Sequence, residues 1–512
     1  MQEVILLTDG YKLGHRNQYP KGTEYVYSNW TPRSAKWLTG ANEGAVMFGL
    51  QYLIKHYLIK EFGEKFFQKP KELAVDEFKR RVDCFLGPDN NVGTQHIEEL
   101  HDLGYLPVLI KALPEGVVCP IRVPMLTVVN THPDFFWLTN YLETLFSAVL
   151  WLPMTSATSA RLAKKELMCH AEQTGFPANI DLGFLCHDFS MRGMAGIEAG
   201  ILSGMGHLTA FHGSETIPAI EALEEYYGAD AEKEMVAGTV PATEHSVMCA
   251  GGMDDEFLTF KRLLTEVYPK GFLSVVSDTW DYWKVITEYL PRLRETILQR
   301  DGRLVIRPDS GDPVKIICGW TAEELKELSR YERGKLPVYE RVGTYQLLWD
   351  LFGGTKTDKG YKVLDPHIGM IYGDAITLER QKEIYRRLEA KGFAATNIVL
   401  GFGSFTYQYK SRDSLGFAMK ATWCRINGEP HDIFKQPKTD SGTKNSLKGL
   451  IRVEIDERKR YYAADCVSPE AEAGGCLRPI FRDGELLKEY TLEEVRQNID
   501  QSIKDSFKYS WP

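Results

Sequence analysis

What the 512 residues lack narrows the field first. No stretch approaches the roughly 18 uninterrupted apolar residues of a membrane-spanning helix. The opening Met1 to Asp9 has neither a basic segment nor a long apolar run, so no secretory signal is predicted. The nine cysteines (Cys84, Cys119, Cys169, Cys186, Cys249, Cys318, Cys424, Cys466 and Cys476) form no Cys-x-x-Cys pair. Their odd number and low density predict reduced thiols, a cytoplasmic protein, and no metal site built from protein ligands. The two commonest nucleotide-binding signatures are missing as well. There is no Gly-x-x-x-x-Gly-Lys-Ser/Thr loop and no Gly-x-Gly-x-x-Gly after an early strand. Neither an internal repeat nor a low-complexity tract occurs. Basic residues are not in excess: 61 Lys and Arg against 70 Asp and Glu leave a net charge of −9. That balance argues against a nucleic-acid or membrane-surface partner.

What is present reads as a globular enzyme-sized chain, 43% hydrophobic and 26% charged. Residues 1–150 predict a mixed α+β region. In it Thr23–Trp30 reads as an edge strand, Val46–Lys55 and Trp137–Leu150 as helices, and Val108–Lys111 and Arg122–Asn130 as strands. From about Thr155 short apolar runs alternate with amphipathic helices. The strands expected there are Gly183–Cys186, Leu208–Phe211, Leu273–Val276, Leu304–Ile306, Gly369–Tyr372 and Ile398–Leu400. The helices are Ala160–Gln173, Thr216–Tyr227, Phe257–Val267, Trp280–Leu298 and Leu378–Ala390. This alternation predicts an α/β barrel, closed or nearly so, over 151–419. Residues 420–512, turn-rich and basic at Lys435, Lys438, Lys444 and Lys448, are expected to pack on the N-terminal region. They end in a helix opened by the Thr491-x-x-Glu494 capping pattern.

Each predicted barrel strand ends in residues with chemical range: His187-Asp188, Gly213-Ser214-Glu215, Ser277-Asp278, Arg307-Pro308-Asp309, Gly373-Asp374 and Gly401-Phe402-Gly403-Ser404. In (β/α) barrels the carboxyl ends of several strands build the active site together. Arg307 and Asp309, two apart at a strand end, are able to face one mouth, although Asp-Ser-Gly is also common in surface turns. Gly373-Asp374 and Gly401–Ser404 are candidate phosphate cradles, since glycine lets backbone N–H groups approach an anion. His245 reads either as a structural histidine or as a nucleophile whose tautomer a carboxylate fixes, with Asp278 the candidate.

The ordered strings Thr8-Asp9-Gly10-Tyr11-Lys12, His187-Asp188-Phe189, Arg192-Gly193, Val240 to Ser246, Ser274-Val275-Val276-Ser277-Asp278, Ile306 to Gly311, Gly373-Asp374, Arg412-Asp413 and Phe434-Lys435 resemble the nicotinamide phosphoribosyltransferase family over nearly the whole chain. The resemblance implies the type II phosphoribosyltransferase fold: an irregular (β/α) barrel with a second mixed α+β domain built from the N- and C-terminal parts. It also implies a head-to-tail homodimer with interfacial sites. The activity implied is transfer of the 5-phosphoribosyl group of phosphoribosyl pyrophosphate (PRPP) to nicotinamide for NAD salvage, with Mg²⁺ and with ATP as coupled co-substrate. The residues so implied as catalytic are His245, the acceptor of a phosphoryl group, with Asp278, Arg307 and Asp309. Phe189 and the neighbouring subunit's copy of Tyr11 would sandwich the pyridine ring, and Glu215 would accept from its amide. Arg192, Gly373, Asp374, Gly403, Ser404 and Arg412 would hold ribose and phosphates, joined by Arg33, Lys420 and Lys435 from the neighbouring subunit. Asp9 and Ser274, inside the matching strings, complete the substrate-binding set. The chain departs from the family at Glu215, where Asp is usual, and in the bulkier residues of the 401–405 turn. Nicotinate phosphoribosyltransferase is the alternative on the same fold. A carboxylate at 215 speaks against it by repelling an acid substrate. A non-catalytic signalling protein on this fold is the other alternative, and would predict loss of His245, Arg307 and Asp309; all three are present.

Overall fold

A computed structural model describes residues 3–177, 179–435 and 447–509. The chain divides into two compact units. One comprises Met1–Thr158, Glu221–Asp230 and Lys410–Pro512, the other Ser159–Ile220 and Ala231–Tyr409.

The first unit is built on a seven-stranded antiparallel sheet. Its order is Glu429–Asp432, Ala418–Ile426, Thr23–Thr31, Leu126–Asn130, Val108–Ala112, Arg478–Arg482 and Glu485–Leu486. Strand Thr23–Thr31 therefore lies inside the sheet rather than at the expected edge. One neighbour, Ala418–Ile426, comes from some 390 residues away. Local alternation carries no trace of a partner so distant. Its last six residues are all buried, and Trp30 stacks on Phe417 with ring centroids 5.3 Å apart. The capping pattern at Thr491 is realised: Thr491 N–H donates to Glu494 at 2.9 Å, Glu494 N–H donates to Thr491 Oγ1 at 3.2 Å, and helix Leu492–Tyr509 follows. Lys438 and Lys444 lie outside the described residues.

The second unit holds six parallel strands: β1 Cys186–Asp188, β2 Gly213–Ser214, β3 Lys270–Val276, β4 Asp301–Arg307, β5 Ile368–Tyr372 and β6 Ile398–Phe402. They are ordered β2-β1-β6-β5-β4-β3. The two edges are joined by one extended segment. Gly238 bridges Gly213 of β2, and Ala242 bridges Ser274 of β3. Four of the six strands fall where apolar runs predict them. Two expectations shift. Residues 182–184 form a 3₁₀ turn, so β1 begins at Cys186, and the Leu208–Phe211 run finishes helix Ile197–Leu208 and the turn after it. That helix buries nearly every residue from Gly200 to Leu208, so its end is as uniformly apolar as a buried strand. In the earlier part of the chain, Val46 belongs to a two-residue strand, and the expected helix starts at Leu50. Leu138–Tyr141 is a separate short helix, and Glu143–Thr174 runs unbroken through Pro153.

The first unit also buries a carboxylate. Glu115 accepts hydrogen bonds from Gly49 N–H at 3.1 Å, Gln51 N–H at 2.7 Å and Tyr227 Oη at 2.8 Å. Burial nevertheless outweighs these donors and pushes its carboxyl up to about 7. Between about pH 4.5 and 7 the folded chain then holds a proton that the unfolded chain has lost, so stability falls as pH rises through that window. Glu115→Gln is expected to flatten this dependence by up to about 3 kcal/mol, followed as urea midpoint against pH. A variant curve parallel to that of the native chain would contradict the assignment.

Candidate active site

Residues at the carboxyl ends of β1, β2, β4, β5 and β6 line a cleft of about 1180 Å³ within the second unit. Ten of the predicted residues line it: Phe189, Arg192, Glu215, His245, Arg307, Asp309, Gly373, Asp374, Gly403 and Ser404. Parallel register gathers them, because each strand delivers its last residues to the same end of the sheet.

His245 starts a short helix directly after the segment that joins β2 to β3. Its Nε2 lies 3.2 Å from Asp278 Oδ1, and the other carboxylate oxygen accepts the N–H of Asp309 at 2.9 Å. Asp278 is buried while His245 is half exposed. An Nε2–H held by this carboxylate leaves Nδ1 as the lone-pair nitrogen. Thr243, two residues upstream, fixes the approach. Its N–H donates to Ser274 O at 3.0 Å, its Oγ1 accepts from Val276 N–H at 3.0 Å, and its carbonyl accepts from Arg307 Nη2 at 2.6 Å. Thr243 is a residue of the site that no local sequence pattern singles out. The one available signal was its place in the Val240–Ser246 string. Arg307 Nε is buried without a protein partner, as is Ser274 Oγ, so both keep unspent polar capacity.

Phe189 begins just beyond β1, its N–H held by Phe402 O at 2.8 Å. A Cβ on Gly401 would lie 2.3 Å from this ring, and one on Gly373 2.7 Å. These two glycines are thus explained by room for an aromatic ring, and Gly401 sits in β6 itself rather than in a turn. This corrects the phosphate-cradle reading of Gly401. Gly403 differs, for an added Cβ there would meet nothing within 4 Å. Asp188, fully buried, accepts Ser190 N–H at 2.9 Å and Thr216 Oγ1–H at 2.6 Å, and its carbonyl takes the N–H of Glu215 at 2.9 Å. Glu215 itself is exposed to the cleft. Tyr372 donates to Ser310 O at 2.9 Å and Gly311 O at 3.1 Å, pinning the turn after Asp309. Burial drives its phenol far above the usual range, and the charges of Asp374, Asp278, Asp309 and Asp312 add to that.

The remaining six predicted residues belong to the first unit. The Asp9 N–H donates to Thr144 Oγ1 at 3.1 Å and the Thr144 hydroxyl donates to Asp9 Oδ2 at 2.8 Å, while Tyr11 is 65% exposed. Lys12, beside it, is buried on Glu143 at 2.6 Å. Arg33, Arg412, Lys420 and Lys435 form one positive neighbourhood. Burial lowers the Lys420 ammonium below its usual range, with Arg33, Lys435 and Arg412 lowering it further against the opposing charge of Glu143. Among the described residues no group of three or more His, Cys, Asp or Glu is placed to hold a metal ion, and no helix is long and apolar enough to cross a membrane.

Residues 184–483 match the model of the nicotinate phosphoribosyltransferase (NAPRTase) family, and residues 3–110 that of the nicotinamide phosphoribosyltransferase N-terminal domain. A protein named nicotinamide phosphoribosyltransferase from Acinetobacter baylyi is 49% identical over 512 residues, covering 98% of each chain. One of the same name from Mycoplasma pneumoniae is 35% identical, covering 87% of this chain and 94% of its own. Among solved structures, nicotinate-nucleotide pyrophosphorylase from Pyrococcus furiosus superposes with a TM-score of 0.57 at 15% identity, over 100% of this chain and 97% of that one. Human nicotinic acid phosphoribosyltransferase does so with 0.54 at 16%, over 98% and 94%. At such identities these two demonstrate a shared fold.

The glycines around Phe189 yield a direct test. Gly401→Ala and Gly373→Ala should each destabilise the protein by about 1–3 kcal/mol through overpacking against the ring. Gly403→Ala should stay within about 0.5 kcal/mol. Urea denaturation of the three variants measures the difference, and equal costs at all three positions would refute the packing argument.

Proposed function

The chain belongs to the nicotinate phosphoribosyltransferase family, and from that premise we propose that it makes nicotinamide mononucleotide from nicotinamide and PRPP in NAD salvage, driven by ATP through phosphorylation of His245. The observation that carries this reading is the chain of contacts His245–Asp278–Asp309, in the same cleft that Phe189 and Glu215 enter. The relatives from Acinetobacter baylyi and Mycoplasma pneumoniae, named for nicotinamide rather than nicotinate, support the choice of the amide.

In the transfer, the ring nitrogen of nicotinamide forms a bond to ribose C1 as the C1–O bond to pyrophosphate breaks. Positive charge grows on the ribose, as in glycoside cleavage. The Asp309 carboxylate offsets that charge, and Arg307 receives negative charge on the departing pyrophosphate. Phe189 offers an aromatic face to the pyridine ring, and Glu215 accepts from the carboxamide N–H₂, which an acid substrate lacks. Arg192, Gly373, Asp374, Gly403 and Ser404 are assigned to ribose and phosphate contacts, and Ser274 to the substrate-binding set. For the coupled step, His245 Nδ1 attacks the γ-phosphorus of ATP and the bond to ADP breaks. Asp278 retains the proton on Nε2 and stabilises the charge that the ring acquires. Water later cleaves the P–N bond, releasing phosphate and restoring the ring.

Mg²⁺ fits this site as an ion carried largely by substrate phosphates, since among the described residues carboxylates such as Asp309 and Asp374 are present but no group of three or more His, Cys, Asp or Glu is placed to hold a metal ion. When bound it would neutralise phosphate charge. Tyr11, Arg33, Lys420 and Lys435 are assigned to the neighbouring subunit's site, and Asp9 and Arg412 to substrate binding. The exposure of Tyr11 and the crowding of like charges around Lys420 support a role in contacting an aromatic ring and an anion.

Supplying PRPP and Mg²⁺ with nicotinamide or nicotinate, with and without ATP, should give nicotinamide mononucleotide as the favoured product, in greater yield with ATP. His245→Ala should abolish ATPase activity and acid-labile phosphate incorporation yet leave weak ATP-independent synthesis, while Asp278→Asn should lower phosphorylation less completely. Preference for nicotinate overturns the substrate assignment, and phosphate found on another residue returns His245 to a structural role. The homodimer has its own test. Mixing inactive Asp309→Ala chains with inactive Tyr11→Ala chains should restore partial activity in hybrids, and a fully active monomer in sedimentation would exclude shared sites.

A further inference from the structure

The Glu215 carboxylate ends a long side chain with several torsions, through which an acceptor oxygen could wander. The fold supplies a restraint. Glu215 follows β2, whose Gly213 bridges Gly238 in parallel. Ser214 N–H donates to Gly238 O at 3.2 Å and Gly238 N–H to His212 O at 2.8 Å. This pairing brings Thr239 alongside, and its hydroxyl donates to Glu215 Oε1. The backbone of Glu215 is held independently by Asp188 O at 2.9 Å. With both ends of the side chain tethered, Oε1 is engaged and Oε2 remains as an acceptor in the cleft.

We infer that Thr239 is a positioning residue for substrate selection: its hydroxyl fixes the Glu215 carboxylate so that the other oxygen receives the carboxamide N–H₂ of nicotinamide. This rests on the nicotinamide reading of the site. Both side chains are solvent-exposed, so the bond adds little to stability, and its effect lies in orientation. Valine matches threonine in shape and lacks the donor, whereas serine keeps the donor and loses only a methyl group.

Steady-state kinetics of Thr239→Val, Thr239→Ser and each combined with Glu215→Gln tests the inference. Thr239→Val should raise KM for nicotinamide about tenfold and narrow the preference over nicotinate by a similar factor, the size expected for misplacing one hydrogen bond to a charge. The same variant should keep kcat within about twofold and leave KM for PRPP and the thermal midpoint unchanged. Thr239→Ser should restore the native preference. On the Glu215→Gln background, Thr239→Val should add little, because the group it positions is already altered. A Thr239→Val enzyme with native selectivity, or one whose loss simply multiplies that of Glu215→Gln, overturns the role of Thr239 alone. Native enzyme that does not use nicotinamide overturns the function assignment and this inference with it.

Discussion

The site depends on one stretch of backbone pairing, the extended segment from Gly238 to Thr243 that bridges β2 at one end and β3 at the other. Backbone hydrogen bonds are directional, and those here run to both edge strands of the sheet. A segment held at both ends this way has little freedom. It carries Thr239 next to Glu215, Thr243 against Arg307 and Val276, and His245 within reach of Asp278. Three chemical functions therefore inherit their placement from one run of main chain.

Around that segment, buried polar groups act as rulers more than as sources of stability. Asp188 has no exposure, and its two oxygens hold the turns that follow β1 and β2. Asp278 plays the same part between β3 and β4, joining a histidine ring to the backbone of Asp309. Low local dielectric makes the buried Asp188 bonds strong and their loss costly, which favours a single arrangement of that side of the mouth. Where space rather than charge matters, glycine does the work: Gly373 and Gly401 leave room for the Phe189 ring to lie across two strands.

Much of the fold was legible in local patterns. The apolar runs at 273–276, 304–306, 369–372 and 398–400 are strands, and helix Leu378–Ala390 has the predicted limits. Ambiguity arose where periodicity itself vanishes. The helix Ile197–Leu208 is buried on nearly all sides, so its end at 208–211 looks like a strand. Strand Thr23–Thr31 looked like an edge because its neighbour lies almost 400 residues along the chain. Glycine at 401 announces a close approach but not what approaches: an aromatic ring is the occupant there, where a phosphate is the reading that glycine alone suggests.

By itself the sequence determined the residue types, their order, and the strand ends on which Asp278, Arg307, Asp309, Gly373 and Gly403 stand. Alternation of short strands and helices is a local property, and a parallel sheet sends all its strand ends one way. Only the tertiary structure decided which of those ends touch. The His245–Asp278 contact spans 33 residues, Thr239–Glu215 spans 24, and Asp309–Asp278 spans 31. Each requires strand order and register, which follow from pairings between separate parts of the chain and leave no signature in the neighbourhood of any one residue.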